Sequence, residues 1–205
     1  MNLGDLVTDI LDEINKGAGI TADQVKSKVR DALSVLEIAN SWAYMDRFVE
    51  FTINLDAEQP RVLPVPTGLK SIEFIRFLGD DGEYEYITEC NARDIARLET
   101  GLPTRYFKDG MEYLWLDKTP AEAYEGEMSY RKYTNWSSDN TFEPWIFKYF
   151  HVLVKYQTLI MFAPFLREPE QMAHYEKLLS QSLKAAVDAN EELEYSNQPA
   201  SMQYS

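Results

Sequence analysis

The hydrophobic period of this chain changes twice, and those changes limit its possible folds more than any other feature. Apolar residues recur at helical spacing up to about residue 47, alternate through much of Phe48 to Tyr133, and return to helical spacing from Phe142. A β-rich block set between helical ends predicts an α+β fold, because each kind of element must bury its own apolar face.

The helical start contains two segments. Leu3, Leu6, Val7, Ile10, Leu11 and Ile14 fall on one face, with Asp5, Asp9, Asp12 and Glu13 elsewhere, so a short amphipathic helix is expected to stop at Gly17 and Gly19. Thr21 and Gln24 then form a capping-box pair, with Ile20 and Val25 placed as a hydrophobic staple. Val25, Val29, Leu33 and Leu36 continue the face, predicting a helix from about Ala22 to Met45 with Trp42 as a buried anchor near its end.

In the middle, Val49, Phe51, Ile53 and Leu55 alternate with Glu50, Thr52 and Asn54, which predicts a strand with one wet face. Pro64 and Pro66 cannot donate to a ladder, so the run from Val62 to Ile72 belongs at a sheet edge or connection. Gly79-Asp80-Asp81-Gly82 joins Ser71–Leu78 to Glu83–Thr88 as a hairpin, and Asn91 can cap a short helix to Leu98. Asp109-Gly110 suits a type I′ turn between Thr104–Lys108 and Met111–Leu116. A last strand, Gly126–Tyr133, completes an antiparallel block.

The helical finish begins with a wide apolar surface from Trp145 to Met161 that Pro164 ends or kinks. Pro169 suits the first turn of a second helix carrying Met172, Tyr175, Leu179, Leu183, Ala186, Val187 and Leu193, and the two form an antiparallel pair joined by Ala163–Glu168. Residues 195–205 have no period and little charge, and read as a flexible tail. The expectation is one domain over 1–194: a helical bundle from 1–47 and 140–194, with a β-rich insertion at 48–133.

Composition removes several functions. The chain has 34 acidic and 20 basic residues, a formal charge of −14, so it lacks the clustered lysine and arginine that grip a phosphate backbone. Such a chain could still surround DNA without gripping it, since repulsion favours sliding over sticking. Its 205 residues suffice to bury on the order of 70% of the unfolded surface, so no disulfide or metal is needed for a core. The single cysteine, Cys90, fits a reducing compartment. Residues Met1–Asp5 do not read as a secretory signal, and the apolar stretch Trp145–Leu166 is too interrupted to span a membrane.

Catalytic and metal signatures are missing as well. His151 and His174 lie on different predicted helices, and Glu170 with His174 gains no further ligand at zinc spacing. No dinucleotide fingerprint, Gly-Lys-Ser/Thr loop or Gly-x-Ser-x-Gly elbow occurs, and the carboxylates of Gly79–Glu83 fit a solvated hairpin tip better than an EF-hand. Paired carboxylates leave a small carbohydrate-active hydrolase open, although sequence cannot give their separation. Tyr84, Tyr86, Tyr106, Phe107, Tyr113, Trp115, Tyr130 and Tyr133 are spaced to decorate strand faces, for cross-strand packing or for subunit contact.

Several of these features together resemble a known family. They are Trp42, Phe51-Thr52-Ile53, the run Val62 to Ile72, Tyr106, Tyr113-Leu114-Trp115-Leu116-Asp117-Lys118-Thr119-Pro120, Met128 to Tyr133, and the C-terminal helical pair. The chain resembles the head-to-tail adaptor (connector, or head-completion) proteins of tailed double-stranded DNA bacteriophages over nearly its whole length. The resemblance implies a non-enzymatic virion protein, present in the host cytoplasm during assembly, with no catalytic residues, metal or cofactor. It implies a homo-oligomeric ring, commonly twelve-fold, that sits between the portal protein and the tail or nozzle proteins and extends the DNA channel. The tail residues Tyr195, Asn197, Gln198, Pro199, Met202 and Tyr204 become the candidates for binding the portal, and the β block becomes the candidate for facing the tail. A different tail-completion or baseplate component remains an alternative within the same class.

Overall fold

The computed structural model describes residues 1–14, 19–54, 58–95, 99–110, 112–166 and 169–196. The chain divides into two compact units, a helical one formed by Met1–Tyr44 with Thr134–Ser205 and a β one formed by Met45–Tyr133.

In the helical unit, α1 (Leu3–Ile14) buries Leu3, Leu6, Val7, Ile10 and Ile14, the face read from its spacing. The start of α2 (Ala22–Ala39) is held by the expected capping box: the Gln24 amide donates to Thr21 Oγ1 at 3.3 Å, and the Thr21 amide donates to Gln24 Oε1 at 2.8 Å. This helix stops at Ala39 and does not run on to Met45, because Asn40 turns extended while its backbone N–H and side-chain Nδ2 both donate to the Leu36 carbonyl. An asparagine that bonds its own chain in this way competes with the next helical turn. Trp42 lies just beyond, fully buried, and a short 3₁₀ turn follows at Ala43–Met45.

The return segment supplies α3 (Trp145–Leu166) and α4 (Pro169–Ser196), with Pro169 opening α4 as its fixed φ favours. Helix α3 packs against each of the other three, which explains why its apolar residues are not confined to one stripe. Its irregularity sits at Phe150 (φ −131°, ψ 31°), where the rings of Trp42 and Trp145 pack, and the helix continues past Pro164 to Leu166. Lys155 of α3 bridges Asp9 at 3.0 Å and Glu13 at 2.8 Å, one turn apart on α1. Glu37 of α2 is 2% exposed and accepts from the Tyr44 hydroxyl at 2.9 Å, the Thr134 amide at 3.2 Å and the Thr134 hydroxyl. It thereby ties the outgoing and the returning segments of this unit to one helix.

The β unit holds β1 (Asp46–Ile53), β2 (Val62–Pro64), β3 (Leu69–Leu78), β4 (Tyr84–Glu89), β5 (Arg105–Asp109), β6 (Tyr113–Leu116) and β7 (Tyr124–Lys132). They form one seven-stranded sheet in the order β1-β7-β3-β4-β5-β6-β2. The Pro-bracketed strand β2 lies at an edge, as its missing donor requires. The sheet is mixed, which corrects the expectation of an antiparallel block: β4 and β5 run parallel, with Thr88 opposite Arg105 and Glu89 opposite Tyr106. The connection 90–104 is long enough for the crossover that a parallel pair needs. Within it only a 3₁₀ turn, Ala92–Asp94, stands where the sequence predicts a helix from Asn91 to Leu98; Asn91 makes no side-chain cap, and 96–98 lie outside the described residues.

Both hairpins form. In the β5–β6 hairpin Asp109 pairs with Tyr113 and so belongs to the ladder and not to the predicted two-residue turn; Gly110 lies in the left-handed region (φ 62°), and 111 lies outside the described residues. Every strand contributes to a single apolar cluster, from Ile53 on β1 to Leu63 on β2, with Ile75, Phe77, Ile87, Tyr106, Leu114, Leu116, Tyr124 and Met128 between. A sheet whose two edges share one core must curl around it. Gly126 permits the closest approach: a Cβ there would lie 2.7 Å from the Phe51 ring, which instead lies against the backbone and meets Phe77 edge-on.

Candidate functional site

The surface that carries most organised chemistry is the sheet face turned away from this core. Strand registers place Glu50, Glu127, Arg76 and Tyr86 in one row across β1, β7, β3 and β4. Arg76 Nε donates to Glu127 Oε2 at 2.6 Å and Nη1 donates to the Tyr86 hydroxyl at 3.1 Å. Its guanidinium also lies 4.3 Å from the centre of the Tyr84 ring and 5.3 Å from that of Phe74. Partial burial alone would lower the Arg76 pKa, but the bonds with Glu127 and Tyr86 outweigh it and move the value up. Hydrogen bonding to Glu127 raises the Tyr84 phenol. Tyr84 and Tyr86 stand exposed as rings braced by a fixed cation, the side-chain type that protein interfaces favour.

The aromatic residues noted in the sequence divide between two roles. Tyr106 belongs to the core and its phenol is pushed up to about 12, by burial first and then by Glu89. Tyr84, Tyr86 and Tyr113 are exposed, while Trp115 donates from Nε1 to Asp109 Oδ2 at 3.2 Å. The carboxylates of Gly79–Glu83 stay at the exposed hairpin tip, where Asp81 Oδ1 accepts from the Glu83 amide at 3.0 Å.

Asp117, inside one of the runs that carry the resemblance, is buried and accepts from the Thr104 amide at 2.9 Å and the Thr104 hydroxyl at 2.8 Å. Burial opposes its charge, yet these bonds and those from Arg105 prevail and hold the carboxyl below its ordinary value of 3.8. A carboxylate with a lowered folded pKa contributes stability above its unfolded pKa, and that contribution is lost as pH falls through the folded value. Asp117→Asn is thus expected to be less stable than the parent at pH 7, with the gap closing as the pH falls below 3.8; urea midpoints across that range measure it. A gap independent of pH would contradict the charge-based account.

Of the predicted portal-binding residues, Tyr195 falls in the last turn of α4, so the helix extends past the expected start of the tail. Asn197, Gln198, Pro199, Met202 and Tyr204 lie outside the described residues. His174 is exposed near the Tyr175 ring, and His151 Nδ1 is buried with no hydrogen-bond partner. Cys90 is half-buried, and burial raises its thiol pKa despite the opposing pull of Arg105. Among the described residues, no group of three or more His, Cys, Asp or Glu could hold a metal ion, and no helix is long and apolar enough to cross a membrane. The carboxyls of Asp117, Asp139 and Glu143 are held below their ordinary values, the reverse of what a glycosidase acid needs.

The sequence does not single out the Arg76 brace, though pairing β3 with β4 across the Gly79–Gly82 turn sets residues 76 and 86 side by side. Asp117 gives no signal beyond its place in a turn-prone run.

A comparison with curated proteins gives no match. Residues 1–203 match the SU10 adaptor protein family, so the match takes in both helical ends and the β unit, and the chain belongs to that family of structural phage proteins.

Proposed function

We propose that this chain is a head-to-tail adaptor that assembles as a closed ring between the portal and the tail and extends the DNA channel. The observation that carries this reading is the extent of the family match, residues 1–203, which covers the whole architecture and not one module of it. In this reading residues 1–194 act as one domain and the ring is twelve-fold. The β unit faces the tail or nozzle proteins, and Tyr195 with Asn197, Gln198, Pro199, Met202 and Tyr204 contacts the portal. The protein gathers in the host cytoplasm and ends in the virion.

Two features support assembly by binding. Val35 and Ile38 on α2, and Tyr149 and Val152 on α3, are exposed apolar residues one helical turn apart, suited to subunit contact. A head-to-tail interface repeated under cyclic symmetry closes without leftover surface. With −14 per subunit, such an interface is expected to set Lys and Arg of one protomer against acids of the next. Genomic DNA then passes an acidic chain without specific binding.

The test is mass measurement in solution, alone and with purified portal or purified tail tube. The proposal expects a ring-sized complex with portal. Binding to tail tube but never to portal would instead indicate a tail-completion or baseplate component.

A further inference from the structure

The two edges of the curled sheet differ in a way that points to a ligand. Strand β2 is three residues long and ends at Pro64, so it is poorly suited to pairing further. Strand β1 is eight residues long, contains no proline or lysine, and pairs with β7 in an unbroken register from Asp46↔Arg131 to Ile53↔Tyr124. The Asp46 carbonyl accepts from Arg47 Nη1 at 2.6 Å, while among the described residues Phe48–Ile53 make no backbone–backbone hydrogen bond beyond that ladder. An edge of this length and regularity, charged at Asp46, Arg47 and Glu50 but without proline, lysine or a bulge, offers the outward N–H and C=O groups of its second half to another strand.

Between the two edges runs a groove of about 570 Å³, lined by Val49, Phe51 and Ile53 of β1, Val65 beyond β2, and Met128 and Tyr130 of β7. It opens onto the apolar core, since Phe51, Val65 and Tyr130 pack against that cluster. On the opposite face of β1, next to the exposed Phe48, Glu50 and Thr52 share an acidic depression with Glu125, Glu127 and Tyr84. Glu127 is already matched by Arg76, and Glu50 stands exposed directly across from it on β1.

We propose that β1 is a strand-addition site for an extended segment of another protein in which apolar and basic residues alternate. Side chains along a strand alternate between faces, so such a segment would drop its apolar residues into the groove while placing lysine or arginine beside Glu50. Backbone bonds to β1 supply affinity, and the contrast between the two faces supplies sequence preference. A second copy of this chain is a poor occupant, because its net charge of −14 opposes the acidic face. The site does not depend on ring formation.

The test uses the full chain and three fluorescent peptides about as long as β1: alternating valine and lysine, the same with glutamate for lysine, and the lysine peptide with alternate backbone nitrogens methylated. The lysine peptide is expected to bind saturably and to protect the amides of Asp46–Ile53 from hydrogen exchange, with the other two binding much more weakly. Glu50→Lys, an exposed substitution, is expected to weaken the lysine peptide by about fivefold and to strengthen the glutamate peptide. Equal binding of the lysine and glutamate peptides, insensitivity to methylation, protection elsewhere in the chain, or no binding at all would overturn the proposal. So would self-association of the free chain that Glu50→Lys alters, since a second copy would then own the edge.

Discussion

Replacing Trp42 with alanine is expected to lower the unfolding free energy by about 3–5 kcal/mol, as for other fully buried large aromatic side chains. The ring has no exposed surface, lies 5.9 Å from the Phe150 ring, and sits where that residue breaks the regular geometry of α3. Its Nε1 also donates to the Leu36 carbonyl at 3.2 Å, the acceptor that already receives the Asn40 amide at the end of α2. One side chain thus fills the core and finishes a helix. Trp42→Phe keeps most of the volume and loses the hydrogen bond, so it is expected to cost about 1–2 kcal/mol. Urea unfolding followed by far-ultraviolet circular dichroism measures both; equal losses for the two variants would show that the filled volume matters less than the hydrogen bond.

Glu37→Ala is expected to cost about 2–4 kcal/mol, from a residue that the sequence gives no reason to suspect. The carboxylate is 2% exposed and is the shared acceptor for the Tyr44 hydroxyl and for the amide and hydroxyl of Thr134. Removing it leaves those donors without that acceptor in a partly buried place, which costs more than the net worth of the bonds themselves. The same contact has a pH signature. Burial, and then the Glu37 charge and hydrogen bond, raise the Tyr44 phenol well above its ordinary value of 10.0. The unfolded phenol then gives up its proton first, so this linkage is silent below about pH 10 and lowers stability as the pH rises beyond it. Glu37→Gln removes the charge but leaves the burial that comes first among the causes, so its alkaline loss from pH 8 to about 11 is expected to match the parent's in stability curves, and a shallower loss would show that the Glu37 charge outweighs burial.

Local periodicity makes much of the fold legible. The apolar face of α1, the capping box at Thr21 and Gln24, the edge position of β2 and the opening of α4 at Pro169 each follow from chemistry within a few residues. Failures arise where the deciding partner is distant or the local alternatives are close in energy. Asn40 ends α2 early through bonds to Leu36 that the helical pattern of α2 does not announce. The parallel β4–β5 pair depends on how the connection 90–104 returns to the sheet, which the short helix read from Asn91 to Leu98 does not decide. Alternation predicts Val49 on the buried face of β1, yet it is 38% exposed, because β1 is an edge whose apolar side opens into the groove.

The candidate surfaces are less legible than the fold. Glu37 lies 97 positions from Thr134, and the Arg76–Glu127 pair spans 51, separations that no motif of this chain records. The family resemblance is readable because packing and turn residues such as Trp42, Pro64, Pro66 and Asp117 are spread along the whole chain. These residues specify an architecture; partner choice rests on exposed residues that the fold must first bring together, as in the row Glu50, Glu127, Arg76 and Tyr86.

The most direct measurement of the central claim is an image of the assembled phage particle with this chain located in it, at a resolution that separates α3 from the sheet of the β unit. The account predicts a closed ring of copies between portal and tail, with the C-terminal residues against the portal and the β units toward the tail. Density for this chain at a baseplate, inside the capsid, or as single copies with no ring would contradict it.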